Sequence, residues 1–169
     1  MLHQICVTQF SKVLGNLSNF LTQANEFASA KKIDVTVLLN SRLAPDQFNL
    51  IKQVQVATDT AKLCAARLTG NLDSAPKHED TETTLEELQA RIQGVVDYLA
   101  SFNEADFVNA ESVEVTHARW GDKHMTGRDF AIEYAMPNFY FHVTTAYEIL
   151  RHNGVELGKL NYLGALTLR

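Results

Sequence analysis

Asn138 and His142 are the residues that type and spacing best equip for chemistry. A four-residue spacing on a helix stacks two side chains on one face. An imidazole can ligate a metal, carry a proton or hydrogen-bond, and a carboxamide offers both a donor and an acceptor. Both residues lie in Tyr134–Gly154, YAMPNFYFHVTTAYEILRHNG. Steps of about 100° from His142 put Asn138, Phe139, Thr145, Ala146 and Ile149 on its side. Tyr140, Thr144, Tyr147 and Arg151 fall opposite and are the more polar set, so His142 and Asn138 are expected to face inward. The plain alternative is a core histidine bonded to the amide with no ligand at all.

Gln53 is a third polar residue on an apolar face. On a helix it shares that face with Leu50, Val56, Ala57, Thr60, Cys64 and Leu68, while Gln55, Asp59, Lys62 and Ala66 lie opposite. A boundary glutamine reaching solvent at the bundle end is the competing reading. Cys64 falls on the Gln53 face, but reactive thiols need an electropositive, partly exposed setting. Its neighbours Leu63, Ala65 and Ala66 point to a buried, inert thiol. Cys64 and Cys6 form no metal-ligand pair by spacing, and buried reduced thiols are expected. His117 and His124 match no metal motif and read as surface residues. No hydrolase elbow, phosphate-cradling glycine loop or dinucleotide fingerprint is present.

Four long helices must position these groups. Residues 3–29 carry a stripe running from Ile5 and Phe10 to Phe27 and Ala28. Residues 45–69 form a second helix opening at Pro45-Asp46. Residues 81–102 form a third, with Leu85, Leu88, Ile92, Val95, Val96, Leu99 and Phe102 as its stripe and Thr83 with Glu86 as a capping box. Glu82, Glu86, Glu87 and Arg91 read as its solvated face. The fourth contains His142, opens near Pro137 and stops at Gly154 after a basic last turn. Residues 33–40 read as a short helix capped by Asp34. Gly70–Asp80 is a linker that could extend about 36 Å at 3.3 Å per residue, enough to cross the bundle. Residues 103–125 are a second long connection in which Ser112–Arg119 suggests a hairpin arm and Gly121-Asp122 its turn. Thr126 caps a short helix through Ala135. The tail after Gly154 reads as irregular, docked by Leu157, Leu160, Tyr162, Leu163 and Leu166, or as a partner surface.

The sequence of 169 residues suits one domain, 1–169. Its formal charge of −5 and lack of a basic stripe argue against nucleic acid and anionic membranes as partners. No apolar run approaches the ~20 residues that span a bilayer, and the N-terminus lacks a leader pattern. A soluble cytoplasmic protein is expected.

Four long helices with two long connections suggest an all-α, up-down-down-up four-helix bundle. PDQFNLIKQVQ (45–55), MPNFYFHVTTAYEILRHNGV (136–155) and LGKLNYLG (157–164) resemble a bacterial family of unknown function within the DinB/YfiT-like metalloenzyme superfamily. The resemblance covers essentially the whole sequence. It implies a divalent metal (zinc, nickel or iron) held by three histidines, one on the second helix and two in an H-x-x-x-H on the last. By that resemblance Gln53, Asn138 and His142 occupy the three ligand positions, and only His142 keeps an imidazole. Amide oxygens are weak ligands for these ions. The trio is better suited to a hydrogen-bonding pocket for a water, a small carboxylate or a sugar-like ligand. The expected function is therefore a DinB-like bundle with a degenerate metal site, binding a small molecule or acting structurally, as a homodimer. The alternative is a metal-dependent hydrolase or thiol S-transferase with His142 as metal ligand, helped by His152, Asp46, another acid or a second subunit. Thiol chemistry at Cys64 is a third.

Overall fold

The computed structural model describes residues 1–169. A π-helical turn, Gln4–Gln9, leads into α1 (Phe10–Lys31), and the short α2 (Val35–Leu39) follows with Asp34 accepting the Thr36 N–H as its cap. Then come α3 (Leu50–Leu68), α4 (Leu85–Ala100), β1 (Glu114–Thr116) and β2 (His124–Thr126). A single turn α5 (Gly127–Asp129) runs through the π-helical Phe130–Ala135 into α6 (Met136–His152), and α7 (Lys159–Leu163) lies near the C-terminus. The expected hairpin is present, with β1 and β2 antiparallel and Val115 opposite Met125.

Side-chain contacts fix the helix directions pairwise. His142 meets Gln53 and Asn138 meets Thr60, so α6 runs antiparallel to α3. Gln89 reaches Thr22 while the Phe102 carbonyl meets His3, so α4 runs antiparallel to the first helix. Arg91 bonds Thr58, and Tyr98 near the end of α4 meets Ser74 just past α3. Hence α3 and α4 run side by side in the same direction, which the long connection 70–84 permits. The apolar stripes converge on one core that includes Leu14, Leu17, Ala57, Leu88 and Val143, and in it Phe10 stacks on Phe139 at 4.1 Å.

The structure corrects several expectations. α3 starts at Leu50, because the Asn49 side chain accepts the Lys52 N–H and caps it there. Asp46 therefore lies in an exposed turn, off the helix. The capping box of α4 is Thr84 with Glu87, one residue later than expected. The helix capped by Thr126 does not stop before Pro137. Pro137 has no N–H to bond the preceding turn, and the ladder widens to a π pattern, with the Met136 N–H donating to the Ala131 carbonyl. In the tail, Leu157 is buried and Tyr162 stacks on Phe20, but Leu160, Leu163 and Leu166 are exposed rather than docked.

The largest departure is on the back of α3. Gln55, Lys62 and Ala66, opposite the Gln53 face, are buried, and so is Arg91, which reads as solvated in the sequence. Because α4 packs on that face, the acids of the 70–84 connection fold over it. Arg91 donates Nε to Thr58 (2.8 Å), Nη1 to Asp80 (2.7 Å) and Glu82 (3.0 Å), and Nη2 to Asp59 (2.7 Å). Lys62 pairs with Asp59 at 2.7 Å and lies 2.6 Å from His78 Nδ1. Burial alone would raise the Asp80 and Glu82 carboxyls. Hydrogen bonds, to Asp80 from Lys52 and Arg91 and to Glu82 from its own backbone N–H, Arg91 and Gln55, outweigh it and hold both below the usual carboxylate range.

Candidate functional site

A cavity of about 400 Å³ runs between α3 and α6. Lys52, Val56, Thr60, Leu63 and Arg67 form one wall, spaced three and four residues apart on α3. The other wall is Phe130, Tyr134, Asn138 and His142, every fourth residue of the α5–α6 rod. His117 and Arg119, from the loop between the strands, with Asp59 of α3 and Phe48 just before it, complete the lining.

His142 is buried, with its Nδ1 2.7 Å from Gln53 Oε1. The Gln53 amide donates its NH₂ to the Phe48 carbonyl at 3.1 Å, which orients its oxygen toward the imidazole. A carboxamide oxygen only accepts, so Nδ1–H donates and the neutral ring carries its lone pair on Nε2. Nε2 has no protein partner, and no fully buried side-chain nitrogen or oxygen lacks one, so Nε2 opens to the cavity. By the same logic the Asn138 oxygen is open, because its NH₂ is donated to Thr60 Oγ1 at 2.8 Å. Of the three sequence candidates, Gln53 and His142 meet. Asn138 faces the same cavity one turn away, and Gln53 lies behind the imidazole rather than on the wall.

Burial lowers His142 to about 4, so its ring is neutral near neutral pH. The consequence for stability has a definite sign. Below its ordinary value of 6.5 the unfolded chain takes up this proton while the folded chain refuses it until about pH 4. The contribution is whole above 6.5 and is lost progressively as pH falls from 6.5 to about 4, on the order of 2 kcal/mol once solvent screening of the partly open ring is allowed for. Urea unfolding of the native protein and of His142→Gln should diverge in slope across that window. Parallel curves would mean that His142 is not held neutral.

His117 is half-buried in the cavity lining, not a surface residue. Burial first, then Arg67 and Arg119, push its imidazole down, and its Nδ1 accepts the Arg119 N–H. His124 is exposed beside Glu114, as expected. Cys6 and Cys64 are both buried and free, with the Cys64 thiol donating to Cys6 sulfur at 3.4 Å. That bond and burial push Cys64 well up, which leaves an unreactive thiol.

The mainly helical fold with its small hairpin matches that of a DinB family protein. A solved structure described as a DinB family member protein from Shewanella denitrificans is 59% identical, with a TM-score of 0.98 over 100% of this chain and 95% of that one. The family model for the Domain of unknown function (DUF1993) matches residues 2–163, and the chain belongs to that family. No curated protein matches.

The three-histidine metal site that the resemblance implies does not fit the donors present. His142 offers one nitrogen, Gln53 Oε1 is occupied by that imidazole, and Asn138 offers a carboxamide oxygen. No three His, Cys, Asp or Glu side chains cluster as a metal site. Cavity residue Asp59 is held by Arg91 and Lys62. His152 is exposed at the far end of α6, more than two turns from His142.

Proposed function

We propose that this chain binds a small polar molecule between α3 and α6, in a pocket standing where its superfamily holds a metal. The observation that carries this is the His142–Gln53 bond. It fixes the tautomer, leaves one acceptor nitrogen facing an open cavity, and takes the Gln53 oxygen out of any ligand set. His142 and Asn138 then supply acceptors for a hydroxyl or amine, and Gln53 acts by orienting the ring.

Two measurements on the purified protein test this. Elemental analysis after dialysis against zinc or nickel should find far less than one equivalent. A fragment screen by amide and imidazole NMR shifts should find compounds that perturb His142 and Asn138 together. One tightly held equivalent of metal, lost in His142→Gln, would restore the metal-enzyme alternative. A screen in which nothing perturbs either residue removes the pocket.

The protein is further proposed to act as a homodimer in the cytoplasm. Exposed Phe141, Leu160 and Leu163, near the Thr144–Tyr162 contact, support an apolar mating face. Light scattering that returns a particle of 18.9 kDa removes the dimer. Two free buried thiols suit a reducing compartment, and no helix is long and apolar enough to cross a membrane. The pairwise helix directions support the up-down-down-up order for the four long helices.

A further inference from the structure

The cations of the cavity wall divide into two kinds. Lys52 is matched by Asp80, and the one carboxylate on the wall, Asp59, is matched by Arg91 and Lys62. Arg67 and Arg119 have no carboxylate within ion-pair distance, in a chain whose net charge is −5. Arg119 is exposed at the rim. Arg67 is half-buried, its side chain makes no hydrogen bond to protein, and its guanidinium carbon lies 6.0 Å over the Phe130 ring. Burial pushes its pKa down from the ordinary arginine value, so the site bears a desolvation cost that no carboxylate offsets.

A partly desolvated guanidinium over an aromatic face, with its N–H groups open to a cavity, is an arrangement suited to an oxyanion. The walls beside it are Phe130, Tyr134 and Leu63, which suit a flat apolar body. Further along, the open Asn138 oxygen and His142 Nε2 ask for a donor. Phe130 and His142 are about three helical turns apart, roughly 18 Å along the axis, so the site is elongated and its two ends differ in polarity.

We propose that the ligand of this pocket is an organic carboxylate, its anion held by Arg67 and Arg119 and its aromatic or other planar body lying toward Asn138. This rests on the small-molecule reading above and adds the chemical class and the polarity of the site.

The test is calorimetric and NMR titration of the full chain with 3-(4-hydroxyphenyl)propionate, its neutral amide, and inorganic phosphate. The carboxylate should bind saturably and the amide about tenfold or more weakly, since a charge-assisted pair is lost. Phosphate, which has no body to bury, should be weak. Arg67→Met should weaken the carboxylate by at least a similar factor, and Arg67→Lys by less. If Arg67→Met melts early, Arg119→Gln at the exposed rim gives a readout without touching the core. Its expected effect is a several-fold loss.

Equal binding of acid and amide, or carboxylate binding unchanged in Arg67→Met and in Arg119→Gln, overturns the anion assignment. The small-molecule reading survives that outcome if neutral fragments still shift His142 and Asn138. Absence of binding by the carboxylate overturns the assignment as well, and only absence of any fragment at His142 overturns both.

Discussion

Replacing Arg91 by Met should destabilise the protein by about 3 kcal/mol, within the range of roughly 3–5 found when one partner of a buried ion pair is removed. The Arg91 side chain is 1% exposed and is the hub of the α3–α4 interface. Its removal leaves the carboxylates of Asp59, Asp80 and Glu82 facing one another, with only Lys52 and Lys62 at the edges. Those carboxylates are 32%, 29% and 14% exposed, so water can recover part of their solvation, which places the loss at the lower end of the range. Arg91→Lys should fall between, because one ammonium cannot reach Thr58, Asp59, Asp80 and Glu82 together. The pH dependence follows from the depressed Asp80 and Glu82. Their contribution is present above the ordinary carboxylate range and is lost as pH falls through their lower folded values. The gap between native and Arg91→Met should therefore narrow as acid is added. Urea unfolding at pH 7 and pH 3 checks both statements, and a loss below about 1 kcal/mol at pH 7 would show the network to be a surface feature.

The sequence made the apolar side of this protein legible and hid half of its polar side. Helix stripes are periodic, so α1, α3, α4 and α6 could be placed from Phe, Leu and Val spacing, and His142 could be oriented from the polarity of the face opposite it. The Arg91 network could not be read, because its members belong to three segments. On α4, Arg91 has acidic neighbours along the helix and resembles any solvated face. Only the parallel placement of α3 and the folding-back of residues 78–82 bring Asp59, Asp80 and Glu82 around it. The cavity was half legible. Asn138, His142 and Gln53 stood out as polar residues on apolar faces. Phe130 and Tyr134 continue the same four-residue series upstream, but Pro137 read as a helix start and cut it. The π-helical Phe130–Ala135 carries the rod across that proline, and with it the wall of the pocket. Arg67 lay on the same α3 stripe as Thr60 and Leu63. An arginine in the last turn of a helix reads as a partner for the helix dipole, and nothing local says that it lacks a carboxylate. His117 was lost for a similar reason, since a histidine in a polar loop gives no hint that the loop closes over a cavity.

Gly127 tests the joint that holds that loop in place. It follows β2 directly and opens the long rod toward His142, and its N–H donates to the Val113 carbonyl at 2.7 Å. A Cβ at this position would lie 1.9 Å from the Ala110 carbonyl oxygen and 2.9 Å from Leu68 Cδ2. The obstructing oxygen belongs to the backbone, so no rotamer change relieves the overlap. Either the 108–113 segment or the start of the rod must shift. Overpacking of this kind costs typically 1–3 kcal/mol and sometimes more, and the backbone contact puts Gly127→Ala at about 3 kcal/mol or above. The shift should also loosen the hairpin, so amide exchange at Val115 and Met125 should quicken more than exchange in α1. Gly94 gives the opposite sign in the same protein. It is exposed in the interior of α4 and a Cβ there meets nothing within 4 Å, so Gly94→Ala should stabilise by roughly 0.5–1 kcal/mol through helix propensity alone. Thermal melts of the two variants should therefore move in opposite directions from the native value. If Gly127→Ala also rises, the close approach of residues 110 and 127 is not a feature of the folded protein, and the loop carrying His117 and Arg119 is not anchored over the cavity.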